Sequence, residues 1–354
     1  MRRRTFLLAP LLLPVAARAD VQYPAVDRSM TLTFPRDHGS HPSFRTEWWY
    51  ITGWLRDAGG RDFGVQVTFF RTRPGVNETS ASRFAPTQLL FAHAAIADPR
   101  AGQLRHDQRA ARAGFDVAQA SEQTTNVVIG DWSLDLAGDT YTARVTAREF
   151  AFALTFEARD AILLQGERGV SRKGPRAQQA SYYYSRPQLR TAGMLTTGGQ
   201  TVAVTGTSWL DHEWSSEYLA PEAQGWDWTG INFDDGGALM AFVIRSKDGA
   251  AYWAGGSMRD AAGGKRTFAP GEVRFTPQRQ WRSPRTSTSY PVAMRVDAGA
   301  SSYLLEPLLD DQELDSRATV GTIYWEGAVR ALAGDRQVGR GYLELTGYAG
   351  ALKI

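Results

Sequence analysis

Residues 48–71 read Trp48-Trp49-Tyr50-Ile51-Thr52-Gly53, then the turn Asp57-Ala58-Gly59-Gly60, then Val65-Gln66-Val67-Thr68-Phe69-Phe70-Arg71. β-Branched and aromatic residues fill both runs, and the Asp/Gly cluster between them is hairpin chemistry. The pattern returns as Trp226-Asp227-Trp228-Thr229-Gly230, Asp234-Asp235-Gly236-Gly237 and an apolar run from Ala238 to Arg245. After each copy comes another strand and another Asp-plus-Gly turn, Gln88 to Gly102 and Ala251 to Gly264. Two similar β-meanders predict two similar β domains. Hairpins in series suit an up-and-down barrel, because closure removes the sheet edges.

The rest of the chain agrees. Tyr141-Thr142-Ala143-Arg144-Val145 and Phe150-Ala151-Phe152-Ala153-Leu154-Thr155-Phe156 alternate with period two. No long segment has helical periodicity, and Ala110 to Ala113 is too brief to nucleate one. The fold class expected is all-β. Gly166 to Ala180, basic and Gly-containing, reads as the connection between halves. The expected boundaries are 20–190 and 191–354.

Residues 1–19 are set apart. Arg2, Arg3 and Arg4 precede an apolar stretch from Phe6 to Ala17, which ends at Ala17-Arg18-Ala19. The stretch is shorter than the roughly 20 residues that span a bilayer. Basic start, apolar centre and A-x-A ending describe a signal peptide cleaved before Asp20. The arginine pair followed by Thr5-Phe6-Leu7 resembles a twin-arginine signal; the alternative is an ordinary secretory signal. The mature protein is expected in the periplasm or outside the cell.

The 40 basic residues include four arginines in this leader, so the remainder carries 36 basic against 37 acidic residues. That near-neutral balance speaks against nucleic acid as a partner. The chain has no cysteine, which removes disulfides, thiolate nucleophiles and Cys-based zinc sites. There is no Gly-x-Ser-x-Gly elbow, phosphate loop or dinucleotide fingerprint. Eleven Trp, thirteen Tyr and sixteen Phe make an aromatic-rich inventory; such residues fill cores, but they also line pockets for apolar ligands.

Three clusters carry candidate chemistry. In Arg45-Thr46-Glu47-Trp48-Trp49-Tyr50 a strand puts Glu47 and Trp49 on one face. Glu47 is then either an acid in a barrel lumen or a buried carboxylate paired with Arg45 or Arg71. Asp37, His38 and His41 stand nearby in a Gly/Pro loop, not at helical i,i+4 spacing, so no metal site is expected. In Ser181-Tyr182-Tyr183-Tyr184-Ser185, Tyr182 and Tyr184 share a face and Tyr183 takes the other, either lining a pocket or joining the halves. In Trp209-Leu210-Asp211-His212-Glu213-Trp214, His212 and Trp214 face together while Asp211 and Glu213 face away. Gly225-Trp226-Asp227-Trp228 follows. A carboxylate walled by indoles is desolvated and its pKa rises, which suits a general acid. Indole faces attract a developing cation, and a neutral imidazole takes a proton from water. The alternative is a structural Asp and His bonded to backbone in a loop.

At these residues the sequence resembles the AttH-type secreted, lipocalin-like proteins related to carotenoid 1,2-hydratase. The matching segments are Phe44 to Tyr50, Tyr182 to Pro187, Trp209 to Trp214, Gly225 to Trp228, and Gly341-Tyr342-Leu343-Glu344-Leu345-Thr346-Gly347-Tyr348. The resemblance implies two lipocalin-like barrels and addition of water, without a cofactor, to a carbon–carbon double bond of an isoprenoid. By that analogy Asp227 protonates the alkene, Trp214 shelters the cation and His212 delivers water, with Trp226, Trp228, Tyr183, Trp49 and Glu47 around the substrate. The hydratase branch is expected to carry an aromatic hydroxyl just before its acid; Gly225 and Trp226 stand there instead.

The function expected is therefore acid-catalysed hydration or hydrolysis of an apolar, isoprenoid- or lipid-like substrate. The rival is a periplasmic carrier that holds a hydrophobic ligand for a membrane-associated export system. An enzyme needs Asp227 in the wall of the cavity, and a carrier does not.

Overall fold

The computed structural model describes residues 21–352 apart from Asn77 and Arg83. The signal-peptide and twin-arginine expectations lie outside the described residues. Among those described there is no α-helix, only the 3₁₀ turns Arg36–His38 and Pro270–Glu272. The chain is all-β, with two antiparallel sheets of 13 and 10 strands forming two lipocalin-like domains.

Both sheets are built by the same rule. In the first, the strands Thr46–Asp57, Asp62–Thr72, Leu89–Ala97 and Leu104–Arg112 form a meander. In the second, Ala223–Phe233, Ala238–Ser246, Ala251–Arg259 and Lys265–Phe268 repeat it. Each meander's first strand also pairs with the last long strand of its own half. Thr46–Asp57 pairs with Gln200–Ser215, and Ala223–Phe233 with Arg336–Leu345. The hairpin turns need a left-handed residue, and Gly60, Gly236 and Gly263 supply it at φ of 82°, 91° and 89°.

The expected boundary near residue 190 falls inside the strand Ala180–Thr197, which pairs with both Phe150–Glu157 and Gln200–Ser215 in the first sheet. Residues 191–215 thus belong to the first sheet, and the chain crosses to the second between Ser215 and Ala223. The Gly166–Ala180 segment is not a connection between halves. Its strand Val170–Arg172 pairs back onto Tyr182, Ser181 and Ala180. The basic, Gly-containing composition marked a turn within one domain.

Each sheet buries one face in its own apolar core, from Ile51, Val67, Trp132 and Phe156 in the first to Ile231, Val296 and Trp325 in the second. A third cluster, including Tyr50, Trp54, Tyr183, Trp209, Trp228 and Tyr342, fills the seam between sheets. Gly64 permits the approach: a Cβ there would lie 2.6 Å from the Tyr342 hydroxyl and 2.8 Å from the Ala328 Cβ. Trp54 Nε1 donates to Gly341 O at 2.9 Å, and Gln188 bonds Asn232, Phe233 and Gly237 across the seam.

Candidate functional site

Strand alternation gives the central strands two chemically distinct faces. Glu47 and Trp49 on Thr46–Asp57, Tyr182 and Tyr184 on Ala180–Thr197, and His212 and Trp214 on Gln200–Ser215 turn into the first domain. There Glu47, fully buried, accepts from Arg71 Nε at 2.8 Å and from the His41 backbone N–H at 2.8 Å. Its other oxygen meets His41 Nδ1 at 2.7 Å and His212 Nε2 at 2.9 Å. His41 stacks on Trp214 at 3.7 Å, and His212 on Trp49 at 4.7 Å. Tyr184 bonds His38 and His212. Burial pushes the Glu47 carboxyl up, but His41 and Arg71 outweigh it and hold it well below the usual range. Burial likewise pulls His41 down, and the charge of Glu47 with the bonds from Asp37 and Glu47 carries it above normal. This is a charge-balanced ion-pair network.

His41, Glu47 and His212 bring their ligand atoms within 4.8 Å of one another. The donor set fits a metal poorly. A doubly bonded, protonated His41 offers no lone pair, and a cation there would face the Arg71 guanidinium across one carboxylate.

The opposite face of the same strands looks onto the second sheet and lines a cavity of ≈ 430 Å³. Trp48, Tyr50, Tyr183, Asp211 and Glu213 come from the first sheet; Trp226, Trp228, Tyr324, Glu326 and Glu344 come from the second. Trp228 Nε1 donates to the Tyr183 hydroxyl at 3.1 Å, and that hydroxyl donates to Asp211 Oδ2 at 2.5 Å. Ser185 and Trp209 Nε1 donate to Asp211 Oδ1. Even against these three donors, burial lifts Asp211 to about 7. Burial also lifts Glu344 to about 7, with Trp226 Nε1 donating to it at 3.0 Å and neighbouring carboxylates adding to the rise. Glu326 is pushed well above the usual range by burial and by Glu344. Glu213 is raised by burial, moderated by Lys173 Nζ at 2.8 Å.

At the far end His93, lowered to about 3 by burial, bridges Thr319 and Tyr324. Thr319 gives its proton to Gln108, whose amide is oriented by its bond to Asp315 O. Thr319 therefore accepts from His93 Nε2–H, and Nδ1 accepts the Tyr324 proton.

Of the sequence-expected residues, Tyr183, Trp226 and Trp228 line this cavity. Glu47 borders it, with its carboxylate committed to the network. Trp49, His212 and Trp214 lie in the first domain's core. Asp227 corrects the expectation most sharply. Between Trp226 and Trp228 it must point the other way, and it accepts from Arg245 Nε at 3.0 Å and the Tyr348 hydroxyl at 3.1 Å. Burial does raise it, to about 6 against Arg245, but it is an arginine-locked carboxylate away from the cavity and away from His212 and Trp214. Its role as the acid is dropped. The acids of the cavity wall are Asp211, named in the sequence only as the residue facing away from His212, and Glu326 and Glu344. A carboxylate alternating with Tyr342 on a leucine-bearing strand was the available signal for Glu344.

The AttH-like family model matches residues 25–348. A crystal structure of a Nitrosomonas europaea AttH is 50% identical, covering 92% of this chain and 99% of that one, with a TM-score of 0.86. Kievitone hydratase from Nectria haematococca shares the fold at 13% identity, 92% and 96% coverage and a TM-score of 0.69. CghA bound to Sch210972 does so at 16% identity, 87% and 90% coverage and 0.55. No curated protein matches the chain. With a family match over nearly the whole described length, the chain belongs to the AttH-like family.

Proposed function

We propose that the protein is an exported acid–base enzyme that adds water across a carbon–carbon double bond of an apolar substrate held between its two sheets. The observation that carries this reading is Asp211: a carboxyl in an aromatic cavity wall, titrating near 7. Such a group gives and takes a proton at neutral pH, where an ordinary aspartate only accepts one. Glu326, raised well above the usual range, keeps a protonated carboxyl on the facing wall, and the indoles of Trp226 and Trp228 limit the access of water. The fold shared with a protein named for hydrating kievitone supports the reaction class. The signal-like pattern of residues 1–19 supports a place outside the cytoplasm.

The test is a panel of acyclic isoprenoids, unsaturated lipids and aryl-substituted alkenes, scored by mass for the gain or loss of one water. Asp211→Asn should lower turnover by about 10²–10⁴-fold while ligand affinity changes only a few-fold. Tight binding of panel members with no change in mass would replace the enzyme by a carrier.

A further inference from the structure

Nearly every polar atom of the inter-sheet cavity has a protein partner. Asp211 receives three donors, Glu213 is paired with Lys173, Glu344 accepts from Trp226, and the Tyr324 proton goes to His93. Besides Arg71 Nη2 at the Glu47 end, two atoms stand out. The Tyr50 hydroxyl and Glu326 Oε1 are both buried without a hydrogen-bond partner among the described residues. They come from opposite walls, Tyr50 from the first sheet and Glu326 from the second. The Tyr50 hydroxyl approaches Glu326 closely enough to ease that carboxyl's ionisation, but no well-aligned hydrogen bond forms between the two. Leaving such an atom unpaired costs about 1–3 kcal/mol, and native proteins tolerate it where the atom has work to do with a ligand.

We propose that Tyr50 and Glu326 together receive a carbonyl oxygen of the substrate, so that the substrate is an apolar ketone or ester conjugated to the double bond that takes up water. This rests on the hydration reading above and names its substrate class. Both groups are donors. The phenol keeps its proton because burial and the carboxyls of Glu326 and Glu344 oppose its loss. The Glu326 carboxyl keeps its own because burial and Glu344 do the same. Two neighbouring O–H groups that share one oxygen stabilise the charge that develops there when the double bond is attacked. An isolated alkene would leave both unsatisfied.

The step balances. The Asp211 carboxylate takes a proton from water as the water oxygen bonds to the β-carbon. The electron pair of the double bond moves through the α-carbon onto the carbonyl oxygen, forming an enolate held by Tyr50 and Glu326. The enolate then collapses and its α-carbon takes the proton back from Asp211. One water has been added and nothing else consumed.

The probe is 2-naphthol, whose oxygen stands in for that of the substrate, with naphthalene as its apolar control. Binding of both is read by naphthyl fluorescence near pH 6, where Asp211 and Glu344 hold their protons and Glu213 is paired with Lys173. The wild-type protein should bind 2-naphthol at least about 10-fold tighter than naphthalene. Tyr50→Phe and Glu326→Gln should each weaken 2-naphthol binding by about 10-fold and leave naphthalene binding unchanged. Tyr50→Phe keeps the ring and its packing, so it should fold like the wild type and carries the test if Glu326→Gln does not. Asp211→Asn should keep 2-naphthol binding. Loss of hydration in that variant with the probe still bound separates the catalytic reading from this one. Equal affinity for naphthol and naphthalene, or unchanged 2-naphthol binding in Tyr50→Phe, would overturn the carbonyl site.

Discussion

Glu326 and Glu344 stand directly opposite each other on neighbouring antiparallel strands, both facing the inter-sheet cavity. Like charges across a strand pair repel, and burial in the cavity wall strengthens the repulsion. One proton at least is therefore retained by the pair near neutrality.

That relationship makes stability pH-dependent with a defined sign. A carboxyl raised in the folded state favours folding while it is protonated. For Glu344 the contribution is complete below 4.5 and is lost as the pH rises to about 7. Glu344→Gln should match the wild type near pH 4 and exceed it near pH 8 by on the order of 1–3 kcal/mol. Urea denaturation midpoints at the two pH values decide it; a variant less stable at the higher pH would contradict the assignment.

Asp227→Asn separates a structural carboxylate from a catalytic one. The substitution leaves Arg245, whose side chain is only 13% exposed, without its counter-charge. The expected cost is about 2–4 kcal/mol of stability, with naphthol and substrate affinity unchanged. Loss of turnover at full stability would instead restore Asp227 as the acid.

Glu47→Gln should be the more damaging change, on the order of 3–5 kcal/mol, because it strands Arg71 and His41 in the core. Glu47 is depressed in the folded state, so its contribution is present above 4.5 and is lost as the pH falls toward its folded value. The variant should accordingly lose part of the wild-type decline in stability below about pH 4.5. Guanidinium midpoints across that range measure both effects.

Export has its own test. Replacing Arg3 and Arg4 by Lys should retain the protein in the cytoplasm with residues 1–19 uncleaved. N-terminal sequencing of fractionated cells checks it, and normal export with a mature start at Asp20 would leave the ordinary secretory route.

Much of the architecture was legible in residues 48–71 and their echo at 226–245, because period-two alternation and Asp/Gly turns are local properties of the chain. The opposite facing of Asp211 and His212 followed from the same rule. The domain boundary was not legible: Ala180–Thr197 and Gln200–Ser215 look like any other hairpin, and their sheet is chosen by pairing with Phe150–Glu157 and Thr46–Asp57, far away in sequence.

The sequence by itself determined the strands, the turns and which residues share a face. Only the tertiary structure decided what each face meets. Leu343 and Leu345 beside Glu344, or Trp325 beside Glu326, read as a buried face next to a solvated one. In the fold a second sheet covers that other face and takes these carboxyls out of bulk solvent. The same docking put the Asp211 side of its strand on the cavity and the His212 side in a packed core. Alternation is a property of one strand, but burial of both its faces depends on another domain, and no local pattern encodes that.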